Sequence, residues 1–248
     1  MSATHGGERL VCGLQPVREA IAAHGPALRV VVEDRDVPQL AALVRFAEGR
    51  GATVTRARRA ELDRWSRGAR HQGAVAFAPG LRILSLDDVE ESPSALFVIL
   101  DEIEDPQNFG AIVRSAVAFG ATAVVFPEHH AAPLTSSTFR ASAGAVEHAR
   151  LCRTKSVSAA LAELGARGVR RVGLDAAGPV LLTEVVLTGP VALVLGAEGK
   201  GLRKPVKAEC DDLARLPMTR TLGSLNVSAA GAVALYEVVR QRAGVTSG

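Results

Sequence analysis

The sequence predicts an α/β protein whose main sheet is parallel and covered by helices on both faces. Apolar runs such as Ala95 to Leu100 and Val191 to Leu195 are continuous rather than alternating, which is typical of strands buried on both faces. Segments with apolar residues at helical spacing separate these runs, and this order indicates βα units. With 248 residues, 48% of them hydrophobic, the chain can form one or two domains with large cores.

Residues 1–78 are predicted to form a small α/β domain. Residues 79–94, which contain Pro79-Gly80, an acidic run and Pro93, have the composition of a flexible linker, and the alternative is that Leu81 to Leu86 packs on the second domain. In the first domain we predict helices at Gly13–His24, Leu40–Arg50 and Glu61–Ser66, and strands at Ala27–Val32, Ala52–Thr55 and Gly73–Ala78.

Residues 95–248 are predicted to form the second domain, in which strands again alternate with helices. The predicted strands are Ala95–Leu100, Thr122–Phe126, Ala149–Cys152, Arg171–Leu174, Val191–Leu195 and Leu213–Leu216. The predicted helices are Gln107–Phe119, the polar stretch Ser136–Ala143, Val157–Arg167 and a long final helix that ends near Arg242.

Positive charge is concentrated in the first third of the chain. The net charge is +3, but residues 1–80 contain 12 arginines against 8 acidic residues. The run from Arg56 to Gly73 has six arginines and two acids, with Trp65 and His71 among them, and such a patch suits phosphates and stacked bases. A solvated helix face is the alternative. The candidate RNA contacts are Arg56, Arg58, Arg59, Arg70 and His71.

Composition argues against several classes of protein. The N-terminal residues show no signal-peptide pattern and no apolar run is long enough to span a bilayer, so we expect a soluble cytoplasmic protein with no membrane partner. Cys12, Cys152 and Cys210 are too few and too scattered for a disulfide framework or a zinc site, and we expect reduced thiols. The histidines lack metal-ligand spacing, so no metal is expected.

Polar residues follow three predicted strands of the second domain. Asn108 and Arg114 follow the first strand, Glu198 lies in the glycine-rich GAEGKG, and Ser224 and Asn226 precede the final helix. Because ligands gather at the carboxyl ends of parallel strands, these side chains are expected to share one site. Each has a simpler alternative: Asn108, Glu198 and Ser224 as helix caps, and Arg114 as a solvated surface charge.

The glycine-rich segment matches neither a Walker loop nor the dinucleotide-binding pattern, and no nucleophile elbow is present. A nicotinamide-dependent oxidoreductase is therefore disfavoured. A non-catalytic ribosome-assembly factor would have no need of Asn108, Arg114, Glu198 and Asn226 together.

Three segments, DPQNFGAIVRSA, LVLGAEGKGL and LPMTRTLGSLNVSAA, resemble in order and spacing the three motifs of the SpoU (TrmH-like) family of RNA ribose 2′-O-methyltransferases. GLQPVREAI and HQGAVA are similar to the substrate-binding module of the bacterial branch that methylates a guanosine of 23S rRNA. The resemblance covers nearly the whole chain, and every motif position matches.

The resemblance implies a SPOUT-type α/β domain with a deep trefoil knot, an L30e/L7Ae-like N-terminal substrate-binding domain, and a homodimer. It implies S-adenosylmethionine as methyl donor, S-adenosylhomocysteine as product, and large-subunit rRNA or its assembly intermediate as substrate. Transfer RNA ribose methylation and antibiotic-resistance rRNA methylation are alternatives within the family.

The resemblance also implies roles for individual residues. Arg114 would act at the ribose 2′-hydroxyl, and because the pKa of arginine exceeds about 12, clamping a phosphate suits it better than acting as a base. Asn108, Glu198, Ser224 and Asn226 would fix the hydroxyl, the target phosphate or the loops. The backbone at Gly196, Leu216, Met218 and Leu225 would hold the methyl donor.

Overall fold

The structure is a computed structural model that describes residues 7–90, 92–219 and 223–245. It divides into two compact units: the first extends to Arg82 and includes Leu134–His148, and the second comprises Ile83–Pro133 and the chain from Ala149 onward. No helix in these described ranges is long and apolar enough to cross a membrane.

The first unit is built around a mixed sheet. Its strand order is β1-β4-β2-β3, with β4 antiparallel to both neighbours and β2 parallel to β3. All six elements predicted for residues 1–78 are present within a few residues, and β1 is a strand that was not predicted. The elements are β1 (Arg9–Cys12), α1 (Leu14–His24), β2 (Arg29–Glu33), α2 (Pro38–Gly49), β3 (Thr53–Ala57), α3 (Arg59–Ser66) and β4 (Ala74–Ala78).

Both faces of this sheet are covered, which explains why strand β2 is apolar at consecutive positions. Val30 and Val32 lie in a core with residues of α1 and α2. Val31 lies in a second core with Leu62 of α3. Successive side chains of a strand point to opposite faces, so each face needs its own apolar residues.

The second unit is an α/β layer structure, and every strand of its sheet is parallel to its neighbours. The strand order is β10-β12-β9-β11-β6-β7-β8-β5, which confirms the predicted parallel sheet. The elements that follow β4 along the chain are β5 (Ile83–Leu84), β6 (Leu96–Asp101), α4 (Pro106–Ala118), β7 (Ala123–Pro127), α5 (Ser136–Ala141), β8 (Leu151–Thr154), α6 (Val157–Ala166), β9 (Arg170–Leu174), β10 (Val180–Leu181), β11 (Val191–Gly196), α7 (Lys204–Ala208), β12 (Asp212–Arg215) and α8 (Val227–Val245).

Strands β6 and β11 lie side by side at the centre of this sheet, and all their residues are buried. Their register pairs Asp101 with Gly196, the last residue of each strand. The loops that follow the two strands therefore begin at adjacent points on the same edge of the sheet. This edge carries the polar residues singled out in the sequence.

Part of the segment expected to link the domains belongs to the second sheet. Ile83 and Leu84 form β5, which pairs with β8, and the side chains of Leu86 and Val89 are buried in the core. The domain boundaries at residues 78 and 95 stay a prediction, as does the trefoil knot.

Helix α8 packs closely against α4 and β11. Gly231 makes this possible, because a Cβ there would lie 2.9 Å from Leu195 Cδ1. Gly231 therefore permits close packing of α8 on β11 within one chain.

The segment Leu134–His148 is fixed to the first unit by a buried carboxylate. The Glu147 side chain is fully buried and accepts hydrogen bonds from Arg9, with Nη1 to Oε1 at 2.7 Å, while His24 Nε2 lies 2.9 Å from Oε2. Burial alone would raise the pKa of Glu147, but hydrogen bonds from His24 and Arg9 hold it below its ordinary value. The carboxylate is therefore ionised and paired.

Candidate active site

The loop after β6 ends in a helix cap that leaves the next asparagine free for other bonds. The Asp105 side chain accepts hydrogen bonds from the backbone N–H groups of Gln107 at 3.1 Å and Asn108 at 3.2 Å, and Pro106 occupies the first helical position. Asp105 is thus the N-cap of α4. Asn108 is not the cap, and its side chain, only 9% exposed, points to the site.

The loop after β11 makes a very close backbone approach. A Cβ on Gly196 would lie 2.3 Å from the carbonyl carbon of Gly201, so only glycine fits. The same loop is tied to the end of β6, because the fully buried carboxylate of Asp101 accepts hydrogen bonds from Arg203 backbone N at 2.9 Å and Nε at 2.7 Å. These contacts place Glu198, which follows Gly196 by two residues, beside α4. Glu198 does not cap a helix, since α7 begins after Arg203.

Asn226 is the N-cap of α8. Its Oδ1 accepts hydrogen bonds from Ser228 backbone N at 2.9 Å and Oγ at 2.6 Å, and its carbonyl accepts from Ala230 N at 2.9 Å. The alternative that Ser224 is the cap is therefore wrong. Ser224 is exposed and lines a cavity, and the predicted loop residues 220–222 lie outside the described part of the chain.

Asn108, Glu198 and Asn226 form one hydrogen-bonded cluster, as their strand-end positions predicted. Asn108 Nδ2 donates to Glu198 Oε2 at 3.1 Å, and Asn226 Nδ2 donates to Asn108 Oδ1 at 2.9 Å and lies 3.5 Å from the same Glu198 oxygen. Since Asn226 Oδ1 already serves the helix cap, both amide orientations are fixed by their partners. Glu198 Oε1 has no hydrogen-bond partner among the described residues and remains available to a ligand.

A cavity of about 270 Å³ opens on one side of this cluster. Its lining includes all four residues predicted to hold a cofactor: Gly196, Leu216, Met218 and Leu225. Met218 and Leu225 are 37% and 40% exposed, which is unusual for large apolar side chains and gives the cavity an apolar wall.

An ion pair that the sequence analysis missed also lines this cavity. Asp175 follows strand β9 and is paired with Lys207. The hydrogen bond from Lys207, together with the backbone N–H of Ala177, holds the pKa of Asp175 below its ordinary value. Asn108 and Glu198 were selected because ligands gather at the carboxyl ends of parallel strands. The same reasoning applies to Asp175, which follows β9, and could have identified it.

A second cavity, of about 430 Å³, also adjoins the cluster. Asn108, Glu198 and Lys200 line it, and Glu198 and Lys200 line the first cavity as well. The loop after β6 contributes further acceptors, including Glu102 and Glu104. The two cavities therefore meet at Glu198 and Lys200, an arrangement that suits two substrates reacting with each other.

Arg114 lies elsewhere on α4. It is exposed, it lines neither cavity, and no carboxylate of the described residues pairs with it. Packing therefore does not explain this arginine, and the structure does not place it in the cluster. No group of three potential metal ligands occurs in the described ranges either.

The predicted RNA-contacting side chains of the first unit differ in whether they are already paired with a carboxylate. Arg56 pairs with Asp34 at 3.7 Å and Arg59 with Asp63 at 3.9 Å, whereas the guanidinium groups of Arg58 and Arg70 have no carboxylate partner among the described residues. His71 is only 4% exposed; its Nε2 lies 2.8 Å from Asp63 and its Nδ1 accepts from Gly73 N at 3.0 Å. Both ring nitrogens are occupied, so His71 holds a turn and is poorly placed to contact RNA.

Comparisons with known proteins match both units. Residues 95–236 match the SpoU rRNA methylase family, and residues 10–84 match the model described as RNA 2′-O ribose methyltransferase substrate binding. An uncharacterized tRNA/rRNA methyltransferase of Mycobacterium avium is 38% identical over 240 residues, which is 94% of this chain and 78% of that protein.

Solved structures are similar over almost the full length. The SpoU methyltransferase AviRb of Streptomyces viridochromogenes in complex with AdoMet has a TM-score of 0.79 and 26% identity, covering 96% of this chain and 92% of that one. An RNA 2′-O ribose methyltransferase has a TM-score of 0.80 and 28% identity, covering 96% and 90%. The fold and the paired sequence models define an RNA 2′-O-ribose methyltransferase. The chain belongs to the SpoU rRNA methylase family.

Proposed function

We propose that this protein transfers the methyl group of S-adenosylmethionine to the ribose 2′-hydroxyl of a guanosine in 23S rRNA. The observation that carries the proposal is the cluster of Asn108, Glu198 and Asn226, whose Glu198 lines both a cavity with an apolar wall and a second cavity rich in hydrogen-bond acceptors. A methyl donor and a ribose can then approach each other across Glu198.

The first cavity suits the methyl donor. Its volume of about 270 Å³ is just below the range usual for small-molecule sites, roughly 300–1,000 Å³. Gly196 lets the loop at Gly201 pack against the end of β11 and so shapes the cavity, while Met218 and Leu225 offer apolar surface to the adenine of the donor. The Asp175 and Lys207 pair adds polar groups for the amino-acid end of the molecule.

S-adenosylmethionine supplies a methyl carbon activated by its sulfonium, and transfer to O2′ leaves S-adenosylhomocysteine and a proton. The residues of this chain would therefore act mainly by positioning the hydroxyl. Glu198 Oε1 is free to accept a hydrogen bond from that hydroxyl, and Asn108 and Asn226 hold the carboxylate in place through Oε2. Ser224, on the wall of the first cavity, would contact the donor or the ribose.

Arg114 is proposed to clamp a phosphate of the target strand in a homodimer. Helix α8, which packs on α4, also exposes large apolar side chains at Val233, Tyr236 and Val239, and Tyr236 is 56% exposed. Exposed apolar surface of this kind is typical of a protein–protein interface. A second copy on this face would give Arg114 a place at a composite site. Arg114→Ala should lower single-turnover methylation strongly and Arg114→Lys less so, and wild-type rates in both at saturating RNA would remove Arg114 from the chemical step.

The choice of guanosine is supported by acceptor chemistry. Glu102 and Glu104 on the second cavity can accept hydrogen bonds, and guanine offers adjacent donors at N1 and N2 on its Watson–Crick edge. Residues 1–78 are proposed to supply RNA affinity, through Arg58 and Arg70 in particular, joined by residues 79–94 to a catalytic domain of residues 95–248. We place this activity in the cytoplasm, on large-subunit rRNA or its assembly intermediate.

The decisive experiment compares ribose methylation of all stable RNAs in cells with and without this protein, and after complementation by Glu198→Gln. We expect one 23S guanosine to lose its 2′-O-methyl group, to regain it with the wild-type gene, and not with the variant. Loss of a transfer RNA methyl group instead would refute the rRNA assignment, and no change in any RNA would refute the proposed activity.

A further inference from the structure

A third cavity, of about 550 Å³, lies entirely within the first unit. Trp65 and Arg67 at the end of α3 line it together with Cys12 of β1, and Ser136 and Arg140 of α5 complete it. Its volume is within the range of roughly 300–1,000 Å³ that is usual for ligand sites. The cavity is therefore formed partly by the N-terminal sequence and partly by the segment Leu134–His148.

The cations around this cavity are free. Neither Arg67 nor Arg140 has a carboxylate within 4.0 Å among the described residues, and both are exposed. Some other arginines of the first unit are paired, such as Arg9 with Glu147 and Arg56 with Asp34. Two free guanidinium groups at one cavity favour an anionic ligand, and their planar donors suit phosphate.

The backbone conformation of Arg67 indicates that its side chain has a role other than stabilising the fold. Arg67 has a φ of 50° at the C-terminal end of α3, a left-handed conformation that helix ends usually give to glycine or asparagine. The backbone therefore gains nothing from an arginine here. A bound anion would explain why this position carries a long cationic side chain.

Trp65 provides a surface for a base. It is the only tryptophan in the chain, it is half-buried, and it meets Phe77 edge to face with ring centroids 5.8 Å apart. Bases of single-stranded RNA stack on such rings, and arginines beside the ring bind the backbone.

The segment that carries Arg140 is held firmly against β1 and α1. Glu147 is bonded to Arg9 and His24, and His148 lies 2.9 Å from Glu19. Gly144, with φ of 88°, sits so close to α1 that a Cβ would come within 2.8 Å of Glu19 Cβ. Arg140 is thus attached to a preorganised support, which lowers the entropy lost on binding.

We propose that this cavity binds one nucleotide step of single-stranded RNA, with a base on Trp65 and backbone phosphates on Arg67 and Arg140. The inference rests on the proposed function, because it identifies where the first unit takes hold of the RNA substrate. It adds the segment Leu134–His148 to the RNA-binding surface, which the sequence had placed in residues 56–71 alone.

Tryptophan fluorescence of the full-length protein tests this directly, since Trp65 is the sole tryptophan. Titration with a short single-stranded oligouridylate should quench it saturably. Arg67→Ala and Arg140→Ala should each weaken binding about tenfold, as loss of a charge-assisted hydrogen bond predicts. Each should also reduce the slope of log K against log salt by about 0.7, and Arg140→Lys should restore most of that slope.

Arg45→Ala is the matched control, because Arg45 is an exposed arginine of the first unit with no carboxylate partner among the described residues and it does not line the cavity. It should bind like the wild type. Arg67→Ala leaves the segment Leu134–His148 unchanged, so it decides the matter even if Arg140→Ala alters stability. Absence of quenching, wild-type affinity in both cavity variants, or equal quenching by polyglutamate would overturn the proposal.

The two proposals fail separately. If RNA is methylated but Trp65 does not respond to it, the cavity assignment is wrong and the function stands. If Trp65 responds with the expected arginine dependence but no RNA is methylated, the cavity assignment stands and the proposed function is wrong.

Discussion

Asn226 has two separable tasks, and two substitutions distinguish them. Its Oδ1 caps α8 through Ser228, and its Nδ2 donates to Asn108 at 2.9 Å. Asn226→Ala removes both interactions. Asn226→Asp keeps an oxygen for the cap but replaces the donor with a second carboxylate oxygen near Glu198.

The expected magnitudes follow from these contacts. Loss of the cap in Asn226→Ala should lower the free energy of unfolding by about 1 kcal/mol. In the wild type the Asn226 amide nitrogen lies 3.5 Å from Glu198 Oε2. In Asn226→Asp a carboxylate oxygen replaces this nitrogen, and its repulsion from Glu198 costs about 1 kcal/mol in a water-like dielectric, because both side chains are exposed. The positive N-terminal end of α8 offsets about 0.3–1 kcal/mol of this. Asn226→Asp should therefore be nearly as stable as the wild type.

Both variants should lose methyl transfer to a similar extent, whatever their stability. A hydrogen bond to a charged cluster contributes about 1.5–3 kcal/mol, so the single-turnover rate should fall roughly 10- to 150-fold. The assay is transfer of a labelled methyl group at saturating RNA and donor, with urea unfolding measured in parallel. A wild-type rate for Asn226→Asp would refute the positioning role of the amide, and wild-type stability of Asn226→Ala would refute the cap.

Three further predictions concern the first cavity and the first unit. Gly196→Ala should abolish donor binding in calorimetry, because a Cβ would lie 2.3 Å from a facing backbone carbon, whereas Gly189→Ala, with no atom within 4 Å, should bind normally. The pKa of Asp175 is lowered mainly by the hydrogen bond from Lys207. The stability that this pair contributes should therefore be complete above the unfolded pKa of about 4 and be lost as pH falls through the lower folded pKa. Urea unfolding of the wild type and of Asp175→Asn at several pH values checks this, and parallel pH profiles of the two proteins would contradict it. Glu147→Ala should lower the midpoint of thermal unfolding and cost about 3–5 kcal/mol, because it leaves the largely buried guanidinium of Arg9 unpaired. An unchanged midpoint would show that the ion pair is dispensable.

Much of the second unit could be predicted because its elements carry strong local signals. The apolar strands β6 and β11, each buried on both faces, identify a parallel sheet, and the strand-end rule then places Asn108 beside Glu198 without any knowledge of distance. Gly196 could be singled out for close backbone approach, and a Cβ there would lie only 2.3 Å from a backbone carbon of Gly201.

The remaining features depend on tertiary contacts that have no local pattern. Ser224 and Asn226 are both good caps, and only the position where α8 begins decides between them. His71 lies in a basic run but is buried, because its ring is held by Asp63. Strands β5 and β10 have two residues each, too few to show a period. Nothing in the sequence of residues 134–148 indicates that it joins the first unit.

The assignment of Leu134–His148 to the first unit means that the polypeptide passes between the units three times, after Arg82, after Pro133 and after His148. Neither unit is therefore a single continuous stretch of the chain. A truncated protein that lacks residues 1–82 would expose Phe139 and Val146, which are buried in the intact chain. It would also leave the Glu147 carboxylate without its partners Arg9 and His24. Transfer of the first unit to another protein would therefore require both of its stretches, the N-terminal one and Leu134–His148.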